Sequence, residues 1–185
     1  MASREEIRSA AFPLFEKQGV AQTTAAQIAD AAGISEAGLA AEFAEVSEIL
    51  LHNDHYQRLL EIFVAEPAEL SPSAAWMVAI EETASSMDDG TWQREATRQQ
   101  LILTDPVVGE HAVPLSVHLI ALTRAAVATR TGLPADSPKV GAFAGALIGA
   151  LGTMPSGNFD GPATWIAAQA QAVEALGPSL DKLLG

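Results

Sequence analysis

Residues 23–43, TTAAQIADAAGISEAGLAAEF, decide how the beginning of this chain folds. Thr23 or Thr24 stands just before a helical repeat of apolar residues, where a hydroxyl side chain caps a helix. Gly33 then supplies the backbone freedom that a tight turn requires. Ser35 is placed to cap another short helix, which continues to the end of the stretch. The stretch therefore predicts two short helices joined by a tight turn.

Helical periodicity continues on both sides of this stretch, and no alternating strand pattern is present. Before it, Ile7, Leu14 and Phe15 recur at helical spacing, and Gly19 ends that helix. After it, clusters of Pro, Gly and Asp separate longer helices. We predict an all-α fold of nine helices, the last six at about residues 47–65, 73–87, 91–103, 110–131, 138–154 and 161–176, with Pro114 starting or kinking the seventh.

The composition of the chain limits the classes of function. Hydrophobic residues make up 49% of its 185 residues and charged residues 18%, which is enough apolar material for a sizeable core. A net charge of −13 repels nucleic acid and anionic membranes at long range. The absence of cysteine excludes disulfides, thiolate metal sites and a cysteine nucleophile. No signal peptide is visible, and glycines and Pro155 interrupt the uncharged run at 140–159, so we expect a cytoplasmic protein without membrane contact.

The first fifty residues resemble the DNA-binding domain of the TetR (tetracycline-repressor-like) family. The resemblance rests on the apolar and turn positions of the first helices: Arg4, Ile7, Ala10, Ala11, Leu14, Phe15, Gly19, Thr23, Thr24, Ile28, Ala29, Ala32, Gly33, Ile34, Ser35, Leu39, Phe43 and Leu50. It implies a helix-turn-helix domain at 1–46 and a helical ligand-binding and dimerisation domain at 47–185. It also implies a homodimeric transcriptional regulator that responds to a small hydrophobic or amphipathic ligand.

The resembling region lacks the charges that a DNA-binding surface uses. No lysine or arginine lies between Lys17 and Arg58, whereas six carboxylates do. Most affinity for DNA comes from cations that contact phosphates and release counterions. Among family members, phosphate-contacting side chains often stand where this chain has Ala40, Glu42 and Val46. We therefore predict that DNA binding is weak or absent and that any remaining contacts come from Arg4, Arg8, Thr24 and Ser35.

The middle helices carry residues that suit a small-molecule pocket. Aromatic and methionine side chains beside a few polar groups are typical of such sites. The same pattern is also typical of an ordinary core, and the sequence does not separate the two interpretations. The predicted ligand-binding residues are Trp76, Met77, Ile80, Gln99, Leu103, His118, Phe143 and Leu147.

A row of small residues on the eighth helix predicts close approach by another helix. Gly141, Gly145 and Gly149 are spaced by four, and the alanine-rich ninth helix carries Trp165. The resemblance implies that these two helices form the interface of a homodimer. Packing within one chain is the alternative that the spacing leaves open.

No sequence motif of catalysis, cofactor binding or metal binding is present. We therefore predict no cofactor and no metal site. If the chain is an enzyme, His118, His111 and Glu110 are the candidates for acid–base catalysis. Three functions remain open: a ligand-responsive regulator, a TetR-fold protein that binds a small molecule without DNA, and an enzyme that uses the ligand pocket.

Overall fold

The structure is a computed structural model that describes residues 2–152 and 161–185, and every regular element in these ranges is a helix. Its helices are α1 (Arg4–Gln18), α2 (Ala25–Ala32), α3 (Glu36–Glu42), α4 (Val46–Leu51), α5 (Asp54–Ala65), α6 (Pro72–Ser85), α7 (Asp89–Thr104), α8 (Pro106–Gly109), α9 (Ala112–Thr131), α10 (Pro138–Gly152) and α11 (Pro162–Leu184). The predicted all-α class is confirmed. The break predicted at 155–158 lies outside the described residues.

The described residues form eleven helices instead of the nine predicted. The predicted helix 47–65 is divided into α4 and α5, because Asn53 accepts a hydrogen bond from the Tyr56 N–H and begins a new helix. Asp105 accepts from Val107 and Val108 in the same way and begins the short α8. The last helix continues through Pro178 to Leu184, although Gly177-Pro178 predicted its end. Pro114 lies in the first turn of α9, where its missing N–H costs no helical hydrogen bond.

The chain divides into two compact units. Unit 1 comprises Met1–His52 and Gln93–Val113, and unit 2 comprises Asn53–Trp92 and Pro114–Gly185. The sequence placed a single boundary between residues 46 and 47. Unit 1 extends beyond that boundary and also includes most of α7 and all of α8, a return of the chain that local sequence patterns do not contain.

Unit 1 is built around the two short helices that residues 23–43 predict. Thr24 caps α2 in a reciprocal arrangement with Gln27, and Ser35 caps α3. Gly33 adopts a φ of 65° between them, in the left-handed region that glycine tolerates best. The core beneath consists of apolar residues from α1 to α4 and α8: Ile7, Ala11, Phe12, Phe15, Val20, Ile28, Ala29, Leu39, Phe43, Ile49, Leu50 and Val108.

Unit 2 is a helical body with a large apolar core. The rings of Phe63 on α5 and Trp76 on α6 meet edge to face, with centroids 5.5 Å apart. Arg130 on α9 donates hydrogen bonds to four backbone carbonyls of the α5–α6 connection, those of Phe63, Glu66, Pro67 and Leu70. Within the described ranges, no helix combines the length and the apolar character needed to cross a membrane.

A buried hydroxyl pair lies inside unit 2. Tyr56 on α5 and Thr123 on α9 share a hydrogen bond, and the Thr123 hydroxyl also contacts the Leu119 carbonyl. Burial raises the pKa of Tyr56 to about 12, against the opposing effect of the Thr123 hydrogen bond. Tyr56 therefore stays protonated and neutral throughout the physiological pH range.

Candidate functional site

The helix-turn-helix face of unit 1 carries a shallow apolar groove. The groove has a volume of about 360 Å³ and lies among α2, α3 and α4. Alanine and core side chains form most of it, with two glutamates among the lining residues: Ala25, Glu36, Ala37, Leu39, Ala40, Phe43, Ala44, Glu45, Val46 and Ile49. No lysine or arginine lines this groove, so its lining is apolar and acidic.

Arg4, one of the predicted phosphate contacts, is paired with a carboxylate. Its Nε lies 3.2 Å from Glu42 Oε2, and its Nη2 donates to the Glu42 carbonyl over 3.1 Å. The guanidinium also stands over the Phe43 ring, 5.2 Å from the centroid. Its side chain remains 48% exposed, so the ion pair competes with water and with any phosphate that approaches.

Arg8 is buried inside unit 1, contrary to the expectation that it contacts DNA. It is 1% exposed. Its Nη2 lies 2.7 Å from Glu95 Oε1 on α7, and its Nη1 lies 3.1 Å from Glu5 Oε2. Arg98 Nε binds the second oxygen of Glu95 at 2.6 Å. In this arrangement, the Arg8 side chain joins α1 to α7 and does not reach the surface.

Glu95 is ionised at the centre of this buried cluster. Burial raises the pKa of a carboxyl group, but the charges of Arg98 and Arg8 and their hydrogen bonds outweigh that effect and hold the pKa of Glu95 below its usual value of 4.5. Sequence reasoning missed this residue because its partners lie 87 and 3 positions away and no motif connects all three.

Thr24 and Ser35, the other predicted DNA contacts, are exposed at the amino ends of α2 and α3. The Thr24 side-chain oxygen accepts from the Gln27 N–H over 3.3 Å, and that of Ser35 accepts from the Gly38 N–H over 3.0 Å. Each hydroxyl therefore caps a helix and still reaches solvent. Their contact with phosphate remains a prediction.

The predicted ligand-binding residues do not come together in one unit. Gln99 and Leu103 belong to unit 1, where Leu103 is 52% exposed. The other six belong to unit 2. There His118 is exposed and Met77 is half-buried, whereas Trp76, Ile80, Phe143 and Leu147 are buried parts of the core. The core interpretation of these four apolar side chains agrees with their burial.

Unit 2 contains three buried polar atoms that sequence reasoning did not single out. Trp165 Nε1, Gln169 Nε2 and Thr83 Oγ1 have no hydrogen-bond partner among the described residues. Gln169 is 1% exposed. Trp165 and Gln169 are four residues apart and share one face of α11, and the Trp165 ring meets Trp92 at 5.7 Å. A buried polar group without a partner costs about 1–3 kcal/mol, which favours a bound water or ligand here.

The acid–base candidates belong to two different units. Glu110 is exposed and His111 half-buried in unit 1, and His118 belongs to unit 2. In the part of the chain that the structure describes, no group of three or more His, Asp or Glu side chains is placed to hold a metal ion.

The glycines of α10 differ in their surroundings. A Cβ added at Gly141 would lie 3.7 Å from the Arg124 guanidinium carbon, so this position faces α9 of the same chain. A Cβ added at Gly145 or Gly149 would meet nothing within 4 Å. Trp165, the fourth predicted interface residue, is half-buried. The spacing of four therefore includes one intrachain position and two uncrowded positions.

Comparisons with known proteins place this architecture in a class. Residues 7–51 match the family described as "Bacterial regulatory proteins, tetR family", and residues 70–183 match the "MftR C-terminal domain" of TetR-type proteins. No curated protein matches the chain. The matches cover both the helix-turn-helix and most of the helical body, which defines the class of helix-turn-helix regulators.

Solved structures agree on the fold. A putative TetR-family transcriptional regulator from Mesorhizobium loti MAFF303099 aligns with a TM-score of 0.54 at 18% identity and covers 95% of each chain. The multidrug binding protein EbrR, complexed with imidazole, gives 0.52 at 18% identity over 96% of this chain and 94% of its own. The regulator SCO7518 from Streptomyces coelicolor A3(2) gives 0.50 at 15% identity over 95% and 96%. The chain belongs to the TetR family of transcriptional regulators.

Proposed function

We propose that this protein is a homodimeric, small-molecule-responsive TetR-family regulator of the cytoplasm. We propose further that its helix-turn-helix does not bind ordinary B-DNA tightly. The observation that carries the proposal is that the arginines predicted to contact phosphate are paired with carboxylates. Arg8 is buried against Glu95, and Arg4 is paired with Glu42 at the edge of the helix-turn-helix face. The two arginines that the sequence offered for phosphate contact are thus both engaged by carboxylates.

The shortage of unpaired cations in unit 1 should weaken DNA binding strongly. Each phosphate that a protein neutralises contributes about −0.9 to the slope of log K against log salt concentration. In unit 1, Arg4, Arg8, Arg94 and Arg98 all have carboxylate partners within 3.2 Å. Counterion release by unit 1 therefore depends mainly on the exposed Lys17 of α1, and the carboxylates at the helix-turn-helix repel the duplex.

Ligand binding is supported by unit 2. The unpartnered donors of Trp165 and Gln169 lie one helical turn apart on α11, and Trp165 packs against the apolar core of unit 2. A small apolar molecule that bears a hydrogen-bond acceptor satisfies both the polar atoms and the apolar surroundings. The alternative function, an enzyme that uses His118, His111 and Glu110, has no comparable support, because no motif of catalysis includes these residues.

The DNA part of the proposal is tested by a mobility-shift titration at low salt with the DNA that flanks the gene of this protein. We expect micromolar or weaker binding without sequence preference. Nanomolar, sequence-specific binding would contradict the proposal.

A second experiment restores positive charge to the helix-turn-helix face. Glu36→Lys, Glu42→His and Val46→Lys together remove two carboxylates from the face, add cations and release Arg4 from its partner. We expect nonspecific DNA affinity to rise by about tenfold or more at low salt, with a steeper salt dependence. Glu81→Lys with Glu82→Lys, at exposed positions on α6 in unit 2, is the charge-matched control and should change DNA binding much less. Equal effects of the two variants would show that overall charge, not the face, limits binding.

A further inference from the structure

The groove on the helix-turn-helix face has a floor of buried core side chains and walls that include exposed alanines. Its floor consists of core side chains: Leu39 is 3% exposed, Phe43 5% and Ile49 0%. Its walls include Ala37, Ala40 and Ala44, all exposed and all without polar side-chain atoms. The floor residues are themselves nearly fully buried, and the small alanines leave a groove of about 360 Å³ above them. An apolar side chain that entered this groove would be stabilised by removal of apolar surface from water.

The ionisable side chains that line the groove are all acidic. Glu36 and Glu45 line it and are exposed. Glu48 lies beside it, where its carboxylate accepts from the Ala44 N–H over 2.8 Å and still reaches solvent. The nearby cation, Arg4, is already paired with Glu42. An occupant of the groove therefore meets an apolar centre and an acidic margin.

These two features select the chemistry of the occupant. Phosphate and other anions are repelled by the margin. The same groove of a second copy is disfavoured as well, because its lining includes two glutamates and no lysine or arginine. An amphipathic helix with large apolar residues on one face and lysines or arginines beside them fits both the apolar centre and the acidic margin, and helix-in-groove docking is a recurrent mode of peptide recognition.

We propose that the helix-turn-helix face of this protein is a docking site for a basic amphipathic helix of a partner protein. A large apolar side chain of the partner enters the groove over Leu39, Phe43 and Ile49. Its flanking cations pair with Glu36 and Glu45. The proposal goes beyond the function proposed above, because weak DNA binding alone does not require any protein to occupy this face.

The test uses the full-length protein and a synthetic 18-residue peptide of leucine, alanine and lysine whose leucines fall on one helical face. A scrambled peptide of the same composition controls for attraction by net charge alone. We measure dissociation constants by fluorescence anisotropy at 150 mM salt. The amphipathic peptide should bind at least about tenfold more tightly than the scrambled one. Equal affinities would overturn the proposal.

Variants locate the bound peptide. Ala40→Trp fills the groove without a change of charge and should weaken binding by about tenfold, whereas Ala31→Trp, at an exposed position of α2 outside the groove, should change it less than about twofold.

A second pair of variants tests the acidic margin. Glu36→Gln with Glu45→Gln should weaken binding by about fivefold, and the matched pair Glu81→Gln with Glu82→Gln on α6 should not. Unchanged binding by Ala40→Trp would overturn the proposal, and melting temperatures of all variants confirm that they fold.

Competition with a 30-base-pair duplex separates this proposal from the preceding one. We expect the duplex not to displace the peptide. If it displaces the peptide at micromolar concentration, the face is a DNA surface and both proposals fail. If neither peptide nor duplex binds, only the docking proposal fails.

Discussion

Glu95 holds two arginines, Arg8 and Arg98, in the interior of unit 1. Its carboxylate accepts from Arg8 and from Arg98 at 2.7 and 2.6 Å, and all three side chains are buried. The cluster connects α1 of the helix-turn-helix with α7, which returns to unit 1 from a distant part of the sequence. A residue predicted for DNA contact thereby becomes part of the interior of unit 1.

At this scale we predict that Glu95→Gln destabilises unit 1 strongly. The variant leaves buried Arg98 without its carboxylate partner and leaves buried Arg8 with only the partly exposed Glu5, and removal of one partner from a buried ion pair costs about 3–5 kcal/mol. Urea unfolding at pH 7 measures the loss. Glu16→Gln, which removes an exposed carboxylate hydrogen-bonded to Thr97, should cost less than about 1 kcal/mol. Similar losses for the two variants would contradict the structural role of Glu95.

The same residue predicts a pH dependence. The folded state lowers the pKa of Glu95 below 4.5, so ionised Glu95 stabilises the fold above that pH, and the stabilisation is lost as pH falls through the lower, folded-state pKa. The difference in unfolding free energy between the wild type and Glu95→Gln should therefore be largest near pH 7 and shrink below pH 4.5. A difference that stays constant down to pH 3 would show that Glu95 is not ionised in the folded protein.

At the scale of elements, α6 and α11 pack closely at one position. A Cβ added at Gly177 would lie 2.8 Å from Ser73 Oγ and 2.9 Å from Ser73 Cβ, both too short for a normal contact. Ser73 cannot easily move, because its N–H and hydroxyl both donate to the Asp181 carboxylate, at 2.9 and 2.5 Å. These contacts help explain why α11 remains helical past Pro178.

We predict that Gly177→Ala destabilises unit 2 by about 1–3 kcal/mol, because overpacking against Ser73 exceeds the gain in helix propensity of about 1 kcal/mol. Thermal and urea unfolding measure the change. Leu176→Ala, at an exposed position one residue away, should stay within about 0.5 kcal/mol of the wild type. A stabilised Gly177→Ala variant would show that the two helices separate easily.

At the scale of the whole molecule, the proposed dimer makes a separate prediction. Gly145 is half-buried and Gly149 exposed on α10, and a Cβ added at either meets nothing within 4 Å, so Gly145→Leu with Gly149→Leu adds bulk at two uncrowded positions. If α10 packs against a partner subunit, this variant should weaken dimerisation by about tenfold or more, although the higher helix propensity of leucine should stabilise each subunit by about 1–2 kcal/mol. Analytical ultracentrifugation measures the dissociation constant, with Ala121→Leu on an exposed face of α9 as control. An unchanged constant would place the interface elsewhere.

The sequence by itself determined the local structure. Thr24, Gly33 and Ser35 define the helix-turn-helix because capping and turn formation depend on neighbours within four residues. The helical periodicity gave the all-α class for the same reason. The sequence did not predict the division of helix 47–65 at Asn53 or the short helix α8. Each of these features depends on a single Asn or Asp side chain that caps a helix, which is a weaker signal than the apolar periodicity.

The tertiary structure alone decided which side chains are available for function. Composition showed that residues 18–57 contain no cation, but only the fold pairs Arg8 with a residue 87 positions away and removes it from the surface. Only the fold separates Gln99 and Leu103 from the other ligand candidates, and only packing buries Gln169 without a partner. Burial and ion pairing depend on contacts between distant segments, and a single sequence encodes these contacts only through the complete packing of the chain.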